Sequence, residues 1–237
     1  MKYYYITGTS RGIGRAIAET LLERENTFVY GISRNDSIQH KNYQHISLDL
    51  NDLDRVKEFT FGDHPDAEKI VLINNAGILG HVNQVGNLYT EKVINSYTIN
   101  LISPSILINQ FLNQYQEHKA ERMIVNTSSG AAQHTIPSWS TYCATKAGLE
   151  MFARVVEDEQ QDFDNPVKVY SIAPGVVDTE MQDEIREVDP ENFRELDRFV
   201  KLKKDGQLVN PKDVGKKFVD IMEHPENYPK SIMDLRD

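Results

Sequence analysis

The sequence predicts an α/β fold: a doubly wound parallel β-sheet with helices on both faces, with residues 1–237 folded as a single domain. Two observations lead there. Short apolar runs alternate with helical stretches along the chain, without an internal repeat or low-complexity tract, which is the pattern of βαβ units. The residues suited to chemistry fall just after the apolar runs, and a sheet of this kind places ligands beyond the carboxyl ends of its strands.

Taken in order, residues 3–6 are expected as the first strand and 12–24 as the first helix. Residues 28–32 and 44–48 follow as the second and third strands, and a helix over 53–61 leads to a fourth strand at 70–73. Long helical stretches cover 91–118 and 141–161, with a strand at 123–126 between them and a sixth strand at 167–172. Residues 179–210 are rich in Glu, Asp, Arg and Lys, yet they hold Met181, Ile185, Phe193, Leu196 and Phe199 at fair helical spacing. They read as one or two short helices lying over the site as a lid, with a solvated surface excursion as the alternative.

Composition limits the function classes. The 237 residues suffice for one large core. No apolar run approaches the length of a membrane span, and the N-terminal residues show no secretory signal. Cys143 is the only cysteine, so an intramolecular disulfide is impossible and a reducing cytoplasmic location is expected. The net charge of −10 repels nucleic acid and anionic membranes, while a local basic pocket for a small anion stays open. The histidines at 40, 45, 64, 81, 118, 134 and 224 have no ligand spacing, so no metal is expected.

The first expected strand runs into Thr7-Gly8-Thr9-Ser10-Arg11-Gly12-Ile13-Gly14 and then a helix. Gly8 permits a tight turn, Gly12 lets the backbone approach a pyrophosphate, and Gly14 lets helix and sheet pack closely. The first-turn N–H groups and the helix dipole then face the phosphates. The spacing differs from the common dinucleotide fingerprint, but its place between a strand and a helix carries weight. Sites selective for NAD place an acid at the end of the second strand; here Ser33 and Arg34 stand there, and Asp36 comes too late. A hydroxyl and a guanidinium suit a 2′-phosphate, and Arg11 is placed to reach the same group, so NADP(H) is the expected cofactor.

Tyr142 and Lys146 lie four apart in an expected helix and so share a face. A free tyrosine has a pKa of about 10 and exchanges protons poorly at neutral pH. A nearby lysine charge is expected to lower that value. Ser129, thirteen residues before Tyr142 and just after a strand, is placed to hydrogen-bond the same substrate oxygen; Ser128 is its rival.

These residues carry a resemblance that spans nearly the whole chain. The glycine loop, Asn74-Asn75-Ala76-Gly77, Asn100, Ser128-Ser129, Tyr142-Cys143-Ala144-Thr145-Lys146 and Pro174-Gly175-Val176-Val177-Asp178-Thr179 together resemble the short-chain dehydrogenase/reductases, whose domain is a Rossmann fold. The resemblance implies a catalytic tetrad of Asn100, Ser129, Tyr142 and Lys146. In it Tyr142 protonates a carbonyl oxygen as hydride arrives, Ser129 polarises that oxygen, Lys146 tunes the tyrosine and bonds the nicotinamide ribose, and Asn100 holds a water that links Lys146 to solvent. It further implies cofactor contacts from Gly8, Ser10, Arg11, Gly12, Ile13, Gly14, Ser33 and Arg34, from Asp49 at the adenine, and from Asn75, Ala76 and Gly77. Tyr142, Lys146, Pro174, Gly175, Val177 and Thr179 complete that set. Within the family the chain resembles the branch of sepiapterin reductases and bacterial benzil reductases, through residues 125–129, Trp139 and Tyr142-Cys143-Ala144. Asp234 matches the acid that anchors the pterin in sepiapterin reductases; a plain surface residue is the alternative. A homodimer or homotetramer is also implied, through helices starting near Glu91 and Thr141. Their apolar positions Ile106, Leu107, Phe111, Leu149, Phe152 and Val156 serve equally well to face the sheet.

The reading favoured by the sequence is an NADPH-dependent reductase of a small ketone or vicinal diketone. Alternatives are a sepiapterin reductase, an NAD-dependent alcohol dehydrogenase and a non-catalytic NADP-binding sensor.

Overall fold

The computed structural model describes residues 1–236. Seven strands form one parallel sheet: β1 (Lys2–Thr7), β2 (Thr27–Ser33), β3 (Tyr43–Ser47), β4 (Lys69–Asn74), β5 (Glu121–Thr127), β6 (Lys168–Ala173) and β7 (Ile232–Asp234). Their order is β3-β2-β1-β4-β5-β6-β7, every neighbouring pair being parallel. The order reverses between β1 and β4, and a crevice opens at such a switch point above the carboxyl ends. Register aligns those ends, with Ile6 opposite Ile73, Asn74 opposite Asn126, and Thr127 opposite Ile172.

The helices are α1 (Gly12–Leu22), α2 (Leu53–Glu58), α3 (Thr90–Tyr97), α4 (Ser103–Tyr115), α5 (Ser140–Gln160), α6 (Glu180–Arg186), α7 (Leu196–Lys204) and α8 (Pro211–Glu223). None of the described helices is long and apolar enough to cross a membrane. Alternation along the strands sorts the core onto two faces. Tyr4, Ile6, Val29, Val71, Ile73, Met123 and Val125 pack with Ile17 and Leu21 of α1 and Phe218 and Met222 of α8. On the other face Tyr5, Ile70, Leu72, Ile124 and Val169 pack with Leu107, Ile108 and Phe111 of α4 and Leu149 and Val156 of α5. The apolar positions on these last two helices therefore face their own sheet. Ile94 of α3, Ile102 just before α4, and Met151 and Val155 of α5 are instead exposed.

Two elements were missing from the sequence-based expectation. Strand β7 has three residues, too few to show alternation. Helix α8 starts on a clear local signal: the Asn210 side chain accepts from Lys212 N at 2.9 Å, and Pro211 takes the first position. The expected helix over 91–118 is broken. A π-helical turn, Thr98–Ile102, separates α3 from α4. Pro104 has no N–H to give to the Asn100 carbonyl four residues back, which accounts for the widening there. The stretch 179–210 does hold two short helices, α6 and α7.

Candidate active site

The glycine loop leaves β1 at the switch point. Gly12 has φ +57°, a left-handed conformation that favours glycine. Gly14 serves packing: a Cβ there would stand 2.3 Å from the Gly8 carbonyl oxygen and equally close to Asn75 Nδ2. No side chain caps α1, and its first turn holds no acidic residue, so its leading amides remain suited to an anion. Thr7, at the end of β1, braces the neighbouring loop. Its Oγ1 accepts from the N–H groups of Asn75 and Ala76, both at 3.0 Å, and this sets Asn75 to Gly77 alongside the glycines.

One cleft of about 560 Å³ runs from this loop to Tyr142. It is lined at one end by Gly8, Ser10, Arg11, Gly12, Ile13, Ser33, Arg34 and Asp49, and along its middle by Asn75, Ala76 and Gly77. Ser129, Tyr142, Lys146, Pro174, Gly175, Val177 and Thr179 line the other end. Of the residues expected at the site, Gly14 and Asn100 stand behind the wall. An uncapped helix N-terminus, glycines that let the backbone approach, and a long cleft with arginines at one end together fit a phosphate-bearing dinucleotide.

Two details at the phosphate end differ from expectation. Arg11 is turned to α6, where its guanidinium pairs with Glu180, and with Glu184 at 3.8 Å. The acids of α6 draw the guanidinium, whose single charge balances one of their two. The Ser33 hydroxyl donates to the Asn35 carbonyl at 2.8 Å and lies 3.2 Å from His45 Nε2, a histidine whose role the sequence did not signal.

At the other end, the first turns of α5 carry Tyr142 and Lys146 on one buried face. Lys146 Nζ donates to the Thr127 carbonyl at 2.7 Å and lies 5.8 Å from the centre of the Tyr142 ring. Burial pushes the Tyr142 phenol up to about 12, with the Ser129 hydroxyl pulling the other way. Burial also draws the Lys146 ammonium down to about 8. The net shift is upward, against the lowering expected from the lysine, because the loss of water around the phenol dominates. The two serines diverge. Ser128 Oγ donates to Glu150 Oε2 at 3.2 Å, away from the phenol, while Ser129 lines the cleft and accepts from Ala131 N at 3.2 Å. Asn100 sits in the π turn with its carboxamide clamped to Ile78, donating to the carbonyl and accepting from the N–H, each at 2.8 Å. It braces the loop after Gly77, and its Nδ2 also reaches Thr145 Oγ1 at 3.3 Å.

An apolar wall completes this end, and the sequence did not single it out as a whole. Trp139, Ile136, Met181, Ile185 and Phe199 line the cleft above Tyr142. Trp139 stacks on Phe193 at 5.5 Å and meets Tyr142 edge-on at 5.5 Å. Asp234 does not stand open to a ligand: Arg236 grips it through its backbone N–H at 3.0 Å, through Nε at 2.8 Å and through Nη2.

The model of the short chain dehydrogenase family matches residues 2–190. The chain belongs to the short-chain dehydrogenase/reductase family. It is an oxidoreductase of this nicotinamide-dependent family. It is 39% identical to a benzil reductase ((S)-benzoin forming) of Bacillus cereus, over 97% of each chain. It is 31% identical to a sepiapterin reductase of Xenopus tropicalis, covering 92% of this chain and 90% of that one. A short chain dehydrogenase/reductase from Saccharomyces cerevisiae has a closely similar structure, with a TM-score of 0.86 at 27% identity, over 100% of this chain and 97% of that one. The family's short-chain reductase fold agrees with the parallel sheet and crevice described above.

Proposed function

We propose that this short-chain reductase is an NADPH-dependent carbonyl reductase acting on small ketones and vicinal diketones, with Tyr142 as the proton donor. The observation that carries the reading is the buried phenol of Tyr142 facing the cleft beside Ser129, under an apolar wall suited to aryl or alkyl substituents. A bound nicotinamide dinucleotide supplies the hydride. Tyr142 gives its proton to the developing alkoxide oxygen, and Ser129 Oγ orients that oxygen. Lys146, anchored on the Thr127 carbonyl, presents charge and donors beneath the tyrosine. Asn100 is a positioning residue that holds the Gly77–Ile78 turn, and a water there connects Lys146 to solvent. The lid of α6 and α7 brings Met181, Ile185 and Phe199 over the substrate and excludes water. Ser33, Arg34 and Arg11 favour the 2′-phosphate of NADPH, Arg11 after release from the lid acids. A cytoplasmic enzyme is proposed, and the exposed Ile94, Ile102, Met151 and Val155 support a homodimer or homotetramer.

The benzil reductase similarity favours diketones over pterins, and so does the ion pair on Asp234, which occupies the acid a pterin would need. The test is reduction of benzil by the purified protein with NADPH and with NADH. The expected result is turnover with at least tenfold higher kcat/KM for NADPH. A preference for NADH contradicts the assignment of Ser33 and Arg34.

A further inference from the structure

The substrate end of the cleft holds a side chain that the tetrad does not use. Arg236, two residues beyond β7, lines the cleft. Its position is defined by two turns. A Cβ on Gly130, directly after Ser129, would lie 3.4 Å from Arg236 Nη2. A Cβ on Gly175, directly after Pro174, would lie 3.2 Å from Arg236 Cγ. The Arg236 side chain thus runs past Gly175 with its aliphatic part and reaches Gly130 with Nη2, and neither glycine has a side chain to push it out.

Its orientation is set from behind. Ala173 of β6 pairs with Asp234 of β7, so the sheet itself fixes the backbone that carries the carboxylate. Arg236 meets that carboxylate with a two-point fork, Nε on one oxygen and Nη2 on the other. The Asp234 carboxyl is held below its ordinary range, chiefly by the hydrogen bond from Arg236, so it stays ionised and keeps the fork. A planar guanidinium fixed in this way suits an acceptor oxygen better than a flexible lysine would.

We propose that Arg236 is the specificity-determining residue of this reductase: it takes the second oxygen of a 1,2-dicarbonyl substrate while Tyr142 and Ser129 serve the first. Asp234 is then a positioning residue, acting through Arg236 and not by binding the substrate. The inference rests on the carbonyl reductase reading and narrows its substrate class. It favours a carbonyl compound with an adjacent oxygen acceptor over a simple ketone, and over a ligand that must donate hydrogen bonds to Asp234.

The test compares benzil with deoxybenzoin, which keeps both phenyl rings but has a methylene in place of one carbonyl. Each is measured with wild type, Arg236→Met, Arg236→Lys and Asp234→Asn, in NADPH turnover and in binding to the protein saturated with NADP+. Quenching of Trp139, the only tryptophan, reads the binding without turnover. Loss of a hydrogen bond from a charged donor predicts that the benzil-to-deoxybenzoin preference falls about tenfold to a hundredfold in Arg236→Met. It should fall less in Arg236→Lys, and less again in Asp234→Asn, where the guanidinium remains but is loosened. A preference unchanged in Arg236→Met, in a variant whose NADPH affinity and melting temperature match wild type, overturns the proposal. So does loss of both ligands in Asp234→Asn alone, which would make the acid the direct anchor. If wild type turns over neither compound, the carbonyl reductase reading fails, and the binding preference still decides the role of Arg236.

Discussion

Tyr142 and Lys146 are one turn apart on α5, and burial moves their proton affinities in opposite directions. The proposed role of Tyr142 as proton donor needs it protonated at rest. A phenol raised to about 12 meets that need throughout the neutral range. Lys146 is the group whose charge changes within reach of experiment. It is an ammonium below about 8 and loses that charge as pH rises through this value. The expected outcome is a fall in kcat/KM for diketone reduction as pH rises through about 8. In Lys146→Arg, the guanidinium stays protonated, so the residual activity should run flat from pH about 7 to about 10. The same limb persisting in Lys146→Arg would assign it to another group. The pairing of Tyr142 with Lys146 was legible from a spacing of four; the direction of the tyrosine shift was not. Spacing shows which groups are neighbours, whereas burial depends also on Phe193 and Phe199, which pack around the phenol from distant parts of the chain.

At the scale of elements, the glycine loop was readable because glycine placement is a local backbone requirement. Gly12 answers to φ and Gly14 to a 2.3 Å approach to the Gly8 carbonyl, both within the loop itself, although Asn75 meets Gly14 from farther along the chain. The break at Thr98–Ile102 was encoded locally too, in Pro104, but the strong apolar pattern on either side hid it. The partner of Arg11 was hidden for a different reason: Glu180 lies 169 residues away and meets it only once β6 has delivered α6 to the switch point. That contact leads to a prediction about the lid. All three side chains are more than half exposed, so the pairs are worth at most about 1 kcal/mol. Glu180→Gln with Glu184→Gln should release Arg11 toward the 2′-phosphate and tighten NADPH binding by about twofold to fivefold, read by titration of cofactor fluorescence. Unchanged or weaker binding would show that Arg11 does not exchange between lid and cofactor.

Across the whole molecule, the alternation of strands and helices defines a parallel sheet, and the sheet order places every candidate residue on one edge. Loops after β1, β2, β3, β4, β5 and β6 converge there, which is why residues as far apart as Gly8 and Gly175 line one cleft. The sequence pattern carried that convergence, since motifs followed strands. It did not carry the substrate end, where Arg236 arrives just beyond a strand of three residues and the apolar wall is assembled from three separate segments. The central claim is that this sheet edge presents Tyr142 as the proton donor to a reducible carbonyl. Single-turnover reduction of benzil by NADPH-loaded Tyr142→Phe tests it most directly, with cofactor affinity measured alongside. The account predicts a loss of about a hundredfold to ten-thousandfold in rate, with NADPH affinity within about twofold of wild type. Turnover at the wild-type rate would contradict it.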